Sequence, residues 1–373
     1  MLSLHTTLIS RKQVTSPIMR LRKLRRKVQR FLFPSEVDHW LTVLRIGLAL
    51  QILLYCLSLR RDWIQLFASG AHGLIRRDLA EAILSAETVF TPRLGWVVAL
   101  GNHLGLNEYS ILWFAWWCLV CAALCLFAGV LCRSAAVLAW FLHLCTTDSA
   151  SLFSYGVDNF TSIGLFYLML APLPDRWSLD AQIRHLPPKD QRLQGFHRRI
   201  LQMHMCLIYF FGGIAKSVGV GWWNGTSLWR ALTRPPLNVI SPDFLIDAKN
   251  ILPVLGILVC LAETGYPFFI WPTKSRPVWF AFIIGMHVII GITMGMYLFA
   301  LIMVVLNTAA FGPGLIGERR LLLKSRLSTQ RNHIEEYLPS YRCEAFATAK
   351  SVAQSLVPGQ PFATSKLGPK SRC

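Results

Sequence analysis

Acidic side chains are scarce in this chain: 19 Asp and Glu stand against 38 Lys and Arg, and charges of either sign fill only 15% of its 373 positions. So thin a polar complement excludes an ordinary soluble surface, because 54% of the residues are hydrophobic and the mean hydropathy is +0.44. Catalytic signatures are missing too. No glycine loop that cradles phosphate follows a strand, and HExxH, GxSxG and the kinase motifs are absent, so a P-loop ATPase, a zinc protease and a serine hydrolase have no support. No secreted disulfide framework is present either. Seven of the ten cysteines (Cys56, Cys118, Cys121, Cys125, Cys132, Cys145 and Cys206) sit in or at apolar runs with Cys260, where cysteine is small apolar filler. Cys118, Cys121, Cys125 and Cys132 share one helix face, from which four ligands cannot surround a metal ion; they read as a packing stripe, and no metal is expected.

What is present is a series of apolar runs with basic punctuation. Eight spans are marked, roughly 40–59, 110–132, 134–152, 159–173, 199–218, 251–271, 277–294 and 296–312. The last two are split only by the soft segment 291–296, compatible with a reentrant pair or one long tilted helix. The pattern predicts an all-α polytopic membrane bundle of about eight transmembrane helices with no large soluble domain. Its organisation reads as a basic cytoplasmic arm (1–37), a transmembrane domain (38–312) and a basic, partly disordered cytoplasmic tail (313–373). The net charge of +19 gathers at the termini and in particular loops. That distribution fits anionic lipid head groups and excludes nucleic acid. The first 30 residues hold nine Lys and Arg and no acid. With that arm inside, the basic links at 174–198 and 272–277 also fall inside, and the balanced stretches 60–109 and 219–250 fall outside. An even number of spans with both termini cytoplasmic, in a plasma or inner membrane, satisfies every loop.

One residue stands against its surroundings. Lys216 ends the run Met203–Ala215, and a lysine at a helix centre costs roughly 2.5–3.5 kcal/mol on insertion scales. The predicted topology puts it at the outer end of its helix, before a loop with Trp222, Trp223 and Trp229, residues that favour the interface. Candidate partners are Asp158 and Asn159, which open the fourth span on the same side, and Glu263 inside the sixth. A lysine snorkelling to the interface is one reading, and a structural Lys216–Glu263 pair is another. The functional reading is a base, since desolvation favours a neutral amine whereas a close carboxylate favours the ammonium. His143, His204 and His287 lie inside spans and read first as interhelical hydrogen-bonders. His204 and Lys216, twelve residues apart on one helix, are separated by about 18 Å and share a site only if the helix breaks at Gly212-Gly213.

Several of these pieces occur in a familiar order. Tyr155-Gly156-Val157-Asp158-Asn159-Phe160 leads to Ala171-Pro172-Leu173-Pro174-Asp175-Arg176-Trp177-Ser178-Leu179-Asp180. Ile208 to Lys216 follows, then Trp222-Trp223-Asn224-Gly225-Thr226, Glu263 before Tyr266-Pro267-Phe268, and Met286-His287. Over roughly 38–312 this resembles the HTTM (horizontally transferred transmembrane) family, which includes the membrane part of vitamin K-dependent gamma-carboxylase. The resemblance implies that Lys216 matches the lysine that deprotonates vitamin K hydroquinone. It therefore implies a quinol as cofactor, a pocket opening to the outer side, and tuning by Asp158, Asn159, Glu263, His287, Trp222 and Trp223. Two departures stand out. Asn159 falls where the carboxylases carry a histidine, and only about 60 residues follow the last span, so recruitment of a protein substrate in the carboxylase manner is not expected. The family also contains a protein that helps mature a bacterial peptide toxin. The alternative function is accordingly a non-enzymatic membrane component for maturation or export of a peptide partner. A midplane transporter is a third, less supported reading, as no inverted repeat is visible.

Overall fold

A computed structural model describes residues 17–69, 79, 81–83, 86, 90–151, 153–187 and 189–312, with side chains from residue 22 onward. The regular structure among these residues is all helix, and no strand occurs among them. The expected tail at 313–373 lies outside the described residues, as do residues 1–16 of the arm.

The helices are, in order, α1 (Pro17–Leu32), α2 (His39–Leu59), α3 (Trp63–Phe67), α4 (Leu94–His103), α5 (Glu108–Ala128), α6 (Cys132–Ser149), α7 (Gly156–Leu170) and α8 (Leu179–Ile183). They continue with α9 (Gln191–Val218), α10 (Val220–Trp223), α11 (Thr226–Thr233), α12 (Pro242–Asp247), α13 (Leu252–Phe269), α14 (Arg276–Met294) and α15 (Tyr297–Gly312). Helices α2, α5, α6, α7, α9, α13, α14 and α15 fall at the eight apolar runs. Among the described residues, only α2, α5, α13 and α14 are both long and apolar enough to cross a membrane by length and composition. The physical reasons differ for the others. Helices α7 and α15 are short, α6 carries Arg133 and Asp148, and the first turns of α9 carry Arg192, Arg198 and Arg199.

The long helices are apolar on all sides, as expected where one face meets protein and the other lipid. On α2, Leu41, Leu44, Leu48 and Ile52 recur at three and four residues and are fully buried, whereas Ile46, Leu50, Leu54 and Leu57 are exposed. Helix α2 packs on α5 and α7, α5 on α6, and α6 on α7. Indole N–H groups tie this cluster to backbone: Trp63 Nε1 donates to the Leu112 carbonyl at 2.9 Å and Trp116 Nε1 to the Cys56 carbonyl at 3.0 Å.

The second cluster is built on α9 and α13. Helix α9 runs unbroken through Gly212-Gly213, and a Cβ on Gly213 would lie 2.4 Å from the Thr264 backbone nitrogen. Glycine is needed there because the two backbones meet. Helix α14 then packs on α13. It ends at Gly295, whose φ of +69° is the left-handed conformation that closes a helix, and α15 starts two residues later. The soft segment is therefore a break between two helices, not a bend in one.

Candidate functional site

Lys216 lies in the last turn of α9 and Glu263 midway along α13. The close approach at Gly213 brings the two together, and Lys216 Nζ donates to Glu263 Oε2 at 2.6 Å. Gly212 leaves the space, since a Cβ there would come within 3.2 Å of the Glu263 carboxylate. The pair is unequally enclosed: the lysine side chain is 28% exposed and the glutamate 9%. The Lys216 nitrogen also lies 5.6 Å from the centre of the Trp222 ring, a cation–π distance. Trp222 is held by α10, whose backbone rests on Gly256 so closely that a Cβ would meet the Trp222 carbonyl. Asn224 Oδ1 then accepts from the Thr226 backbone N–H at 3.0 Å and from its hydroxyl at 2.7 Å, starting α11.

Beside the pair opens a cavity of about 690 Å³ between α13 and α14, covered by α11 and α12. Its walls are almost wholly apolar, among them Leu232, Phe244, Leu258, Phe282 and Ile289, and the polar side chains are Lys216, Glu263 and Thr293. Gly285 lines it, and a Cβ added there would meet nothing within 4 Å. Leu255, Leu258, Phe282 and Ile289 line the cavity and are also exposed on their helices. The hollow therefore communicates with the surface that an apolar solvent covers. Glu263 is the hydrogen-bonding partner of Lys216 among the described residues, and an ammonium has three donors, so the unused capacity faces this space. The arrangement suits an amphiphile with one polar end.

The remaining candidates do not converge on Lys216. Asp158 accepts from the Tyr155 backbone N–H at 3.0 Å, capping its own helix, and lines a separate cavity of about 190 Å³ with Tyr55 and Thr147. Asn159 is exposed. Trp223 donates Nε1 to the Ser217 carbonyl at 2.7 Å and closes the end of α9. His287 bonds through Nε2 to the Tyr209 hydroxyl at 2.7 Å, in a buried set where Asn307 Nδ2 donates to Tyr209 and the Tyr266 hydroxyl donates to Asn307 Oδ1. His204 pairs with Tyr167 at 2.8 Å and His143 with Ser162 at 3.0 Å, both between helices. Among the described residues no group of three His, Cys, Asp or Glu is placed to hold a metal ion.

A second ion pair escaped the sequence reading. Arg45 sits in α2, 1% exposed, and grips Asp175 through Nε at 3.0 Å and through its terminal nitrogen at 3.2 Å. Its other terminal nitrogen donates to the carbonyls of Leu126 and Phe127 at the end of α5. The signal was an arginine six residues inside an apolar run, subject to the same insertion cost that drew attention to Lys216.

Fold and site together define an integral, multi-pass helical membrane protein. The HTTM domain model matches residues 99–313, more than half of the chain, and the chain belongs to the HTTM family. Neither a curated protein nor a solved structure matches it.

Proposed function

We propose that this HTTM protein is a membrane enzyme acting on a quinol-type amphiphile, with Lys216 as the base at the outer face. The observation that carries the reading is the lysine nitrogen, paired on one side and open on the other to a large apolar hollow. The residues fit such a group: the apolar walls of α13 and α14 take a ring and tail, and the polar end holds a hydroxyl. A quinol bound there supplies an acidic hydroxyl and reducing equivalents.

Glu263 and Lys216 act as one unit. The carboxylate is within hydrogen-bond reach of the amine and gives it a place to pass a proton. As base, Lys216 passes a proton to Glu263 Oε2 and takes the quinol hydroxyl proton in its place, so that the carboxyl ends protonated and the quinol ends as its anion. Trp222, at a cation–π distance, steadies the ammonium that results. Eight spans with both termini cytoplasmic complete the proposal; eight helices at the apolar runs and the basic links support it.

The same 2.6 Å contact favours one other reading, a purely structural pair in a non-enzymatic protein that serves a peptide partner. Lipid extracted from protein purified out of a quinone-containing membrane separates the two. The enzymatic reading expects a quinone enriched over bulk lipid, lost in Gly285→Phe, whose ring would project from a Cβ position that meets nothing within 4 Å and occupy the hollow. It also expects Lys216→Ala to remain inserted and folded yet turn over no quinol. Absence of quinone from wild type, or equal turnover in Lys216→Ala, ends the catalytic reading.

A further inference from the structure

The end of the molecule away from Lys216 carries a second, unrelated feature. Helix α1 has Arg22, Lys23, Arg25, Arg26, Lys27 and Arg30 and no acid. Between them Leu24, Val28 and Phe31 recur at four and three residues, which places them on one stripe. All three are exposed, Leu24 at 61%. The helix is nonetheless fixed in place. Phe31 lies 5.6 Å from Trp271, and the Arg199 guanidinium stacks on both rings at 4.6 and 4.8 Å while its Nε donates to the Phe31 carbonyl at 2.8 Å. Phe33 stacks flat on Phe196 of α9 at 4.7 Å.

That docking has an electrostatic consequence. Arg26 and Arg30 are held across a cleft of about 510 Å³ from Arg192, in the first turn of α9. None of the three guanidinium groups has a hydrogen bond or ion pair among the described residues. The one carboxylate lining the cleft, Asp190, already accepts from the Arg192 backbone N–H at 2.8 Å. Three cations thus share the cleft with a single carboxylate, an excess of positive charge that an anion would offset.

We propose that this cleft binds the phosphate head group of an anionic phospholipid. A phosphodiester offers two free oxygens to the planar forks of arginine, which match them better than a point charge does. A lipid is favoured over a soluble anion by the cleft's own walls: Phe33 and Leu193 line it beside the arginines and are exposed, an apolar surface for acyl chains that inorganic phosphate has no use for. The site lies near the opposite end of α9 from Lys216, and about 36 Å along the axis separates Arg192 from that lysine. It therefore stands whether or not the quinol reading does.

The test uses the full chain in nanodiscs of phosphatidylcholine, with and without phosphatidylglycerol, read by native mass spectra of retained lipid and by thermal unfolding. Phosphatidylglycerol is expected to be retained and to raise the unfolding temperature. The variant Arg26→Gln/Arg30→Gln/Arg192→Gln should lose both effects, weakening retention roughly fivefold for each arginine removed. Its three side chains have no protein partners, so the fold is unaffected. The variant Lys23→Gln/Arg25→Gln/Lys27→Gln removes the same charge away from the cleft and should keep both effects. Equal loss in the two variants means a diffuse surface attraction and overturns the site. No preference for phosphatidylglycerol overturns it too, as does inorganic phosphate that protects equally and displaces the lipid.

Discussion

Two of the ion pairs among the described residues, Arg45–Asp175 and Lys216–Glu263, are built on opposite principles. Arg45 and Asp175 are 1% and 0% exposed, and the guanidinium spends its donors on both carboxylate oxygens and two helix-end carbonyls. Four of its five N–H donors are spent, and among the described residues the pair faces no hollow. Lys216 and Glu263 make a single short contact, keep the lysine partly exposed and look into a hollow. Arginine suits the first task because its rigid fork meets several acceptors at once; lysine suits the second because it leaves donors free and gives up a proton more readily. A buried charge with every partner in place stabilises an architecture, whereas one with unused capacity facing a cavity is available for chemistry.

The sharpest test of this contrast is Arg45→Ala. It strands Asp175 among apolar neighbours and removes the tie between α2, the end of α5 and the loop before α8, so a loss of about 3–5 kcal/mol is expected in unfolding measurements on purified protein. A loss no larger than that of Lys216→Ala would break the distinction. Next is Gly213→Ala, whose methyl must displace the Thr264 backbone and part α9 from α13. Overpacking of this kind costs about 1–3 kcal/mol, and here it also lengthens the Lys216–Glu263 contact, so turnover or quinone retention should fall along with stability. The smallest effect on stability is expected from the double variant Lys216→Met/Glu263→Leu. Replacing a buried pair by apolar residues of similar volume is neutral or stabilising, so the unfolding midpoint should hold or rise while quinol turnover vanishes. Retained function in the double variant would place this pair in the same class as Arg45 and Asp175.

The Arg45 tie also joins a segment that the HTTM domain model matches to one that it does not. The HTTM match begins at residue 99, so Asp175 lies within it and Arg45 outside. Helix α2 is nevertheless as deeply packed as any other, with Trp40, Leu41, Leu44 and Leu48 at 1% exposure or less.

Helix positions were legible from the sequence to within a few residues, because an apolar run long enough to bury itself announces its own boundaries. The number of runs that cross the bilayer was less legible: charges in the first turns of α9 and the brevity of α7 and α15 blur length as a criterion. Lys216 and Glu263 were each legible as a costly charge in need of a partner, with Asp158 as a competing candidate for the lysine. Asp158 was grouped with them by its shared side of the membrane, but its carboxylate caps α7 instead. A pocket near Lys216 was implied by the family resemblance, but its walls and size were not legible. Its roof comes from α11 and α12, short helices in a stretch that reads as a mixed polar loop, and its size depends on how they rest on α13.

The amino-acid sequence determined by itself that this is a helical membrane protein with a lysine that needs an account, because the cost of placing a residue in hydrocarbon is a local property of that residue and its neighbours along the chain. Which carboxylate meets the lysine, that a hollow opens beside it and that Arg45 is sealed in place were decided only by tertiary structure. Those outcomes depend on how closely distant backbones approach, and a missing Cβ at Gly213 sets that distance where α9 meets α13.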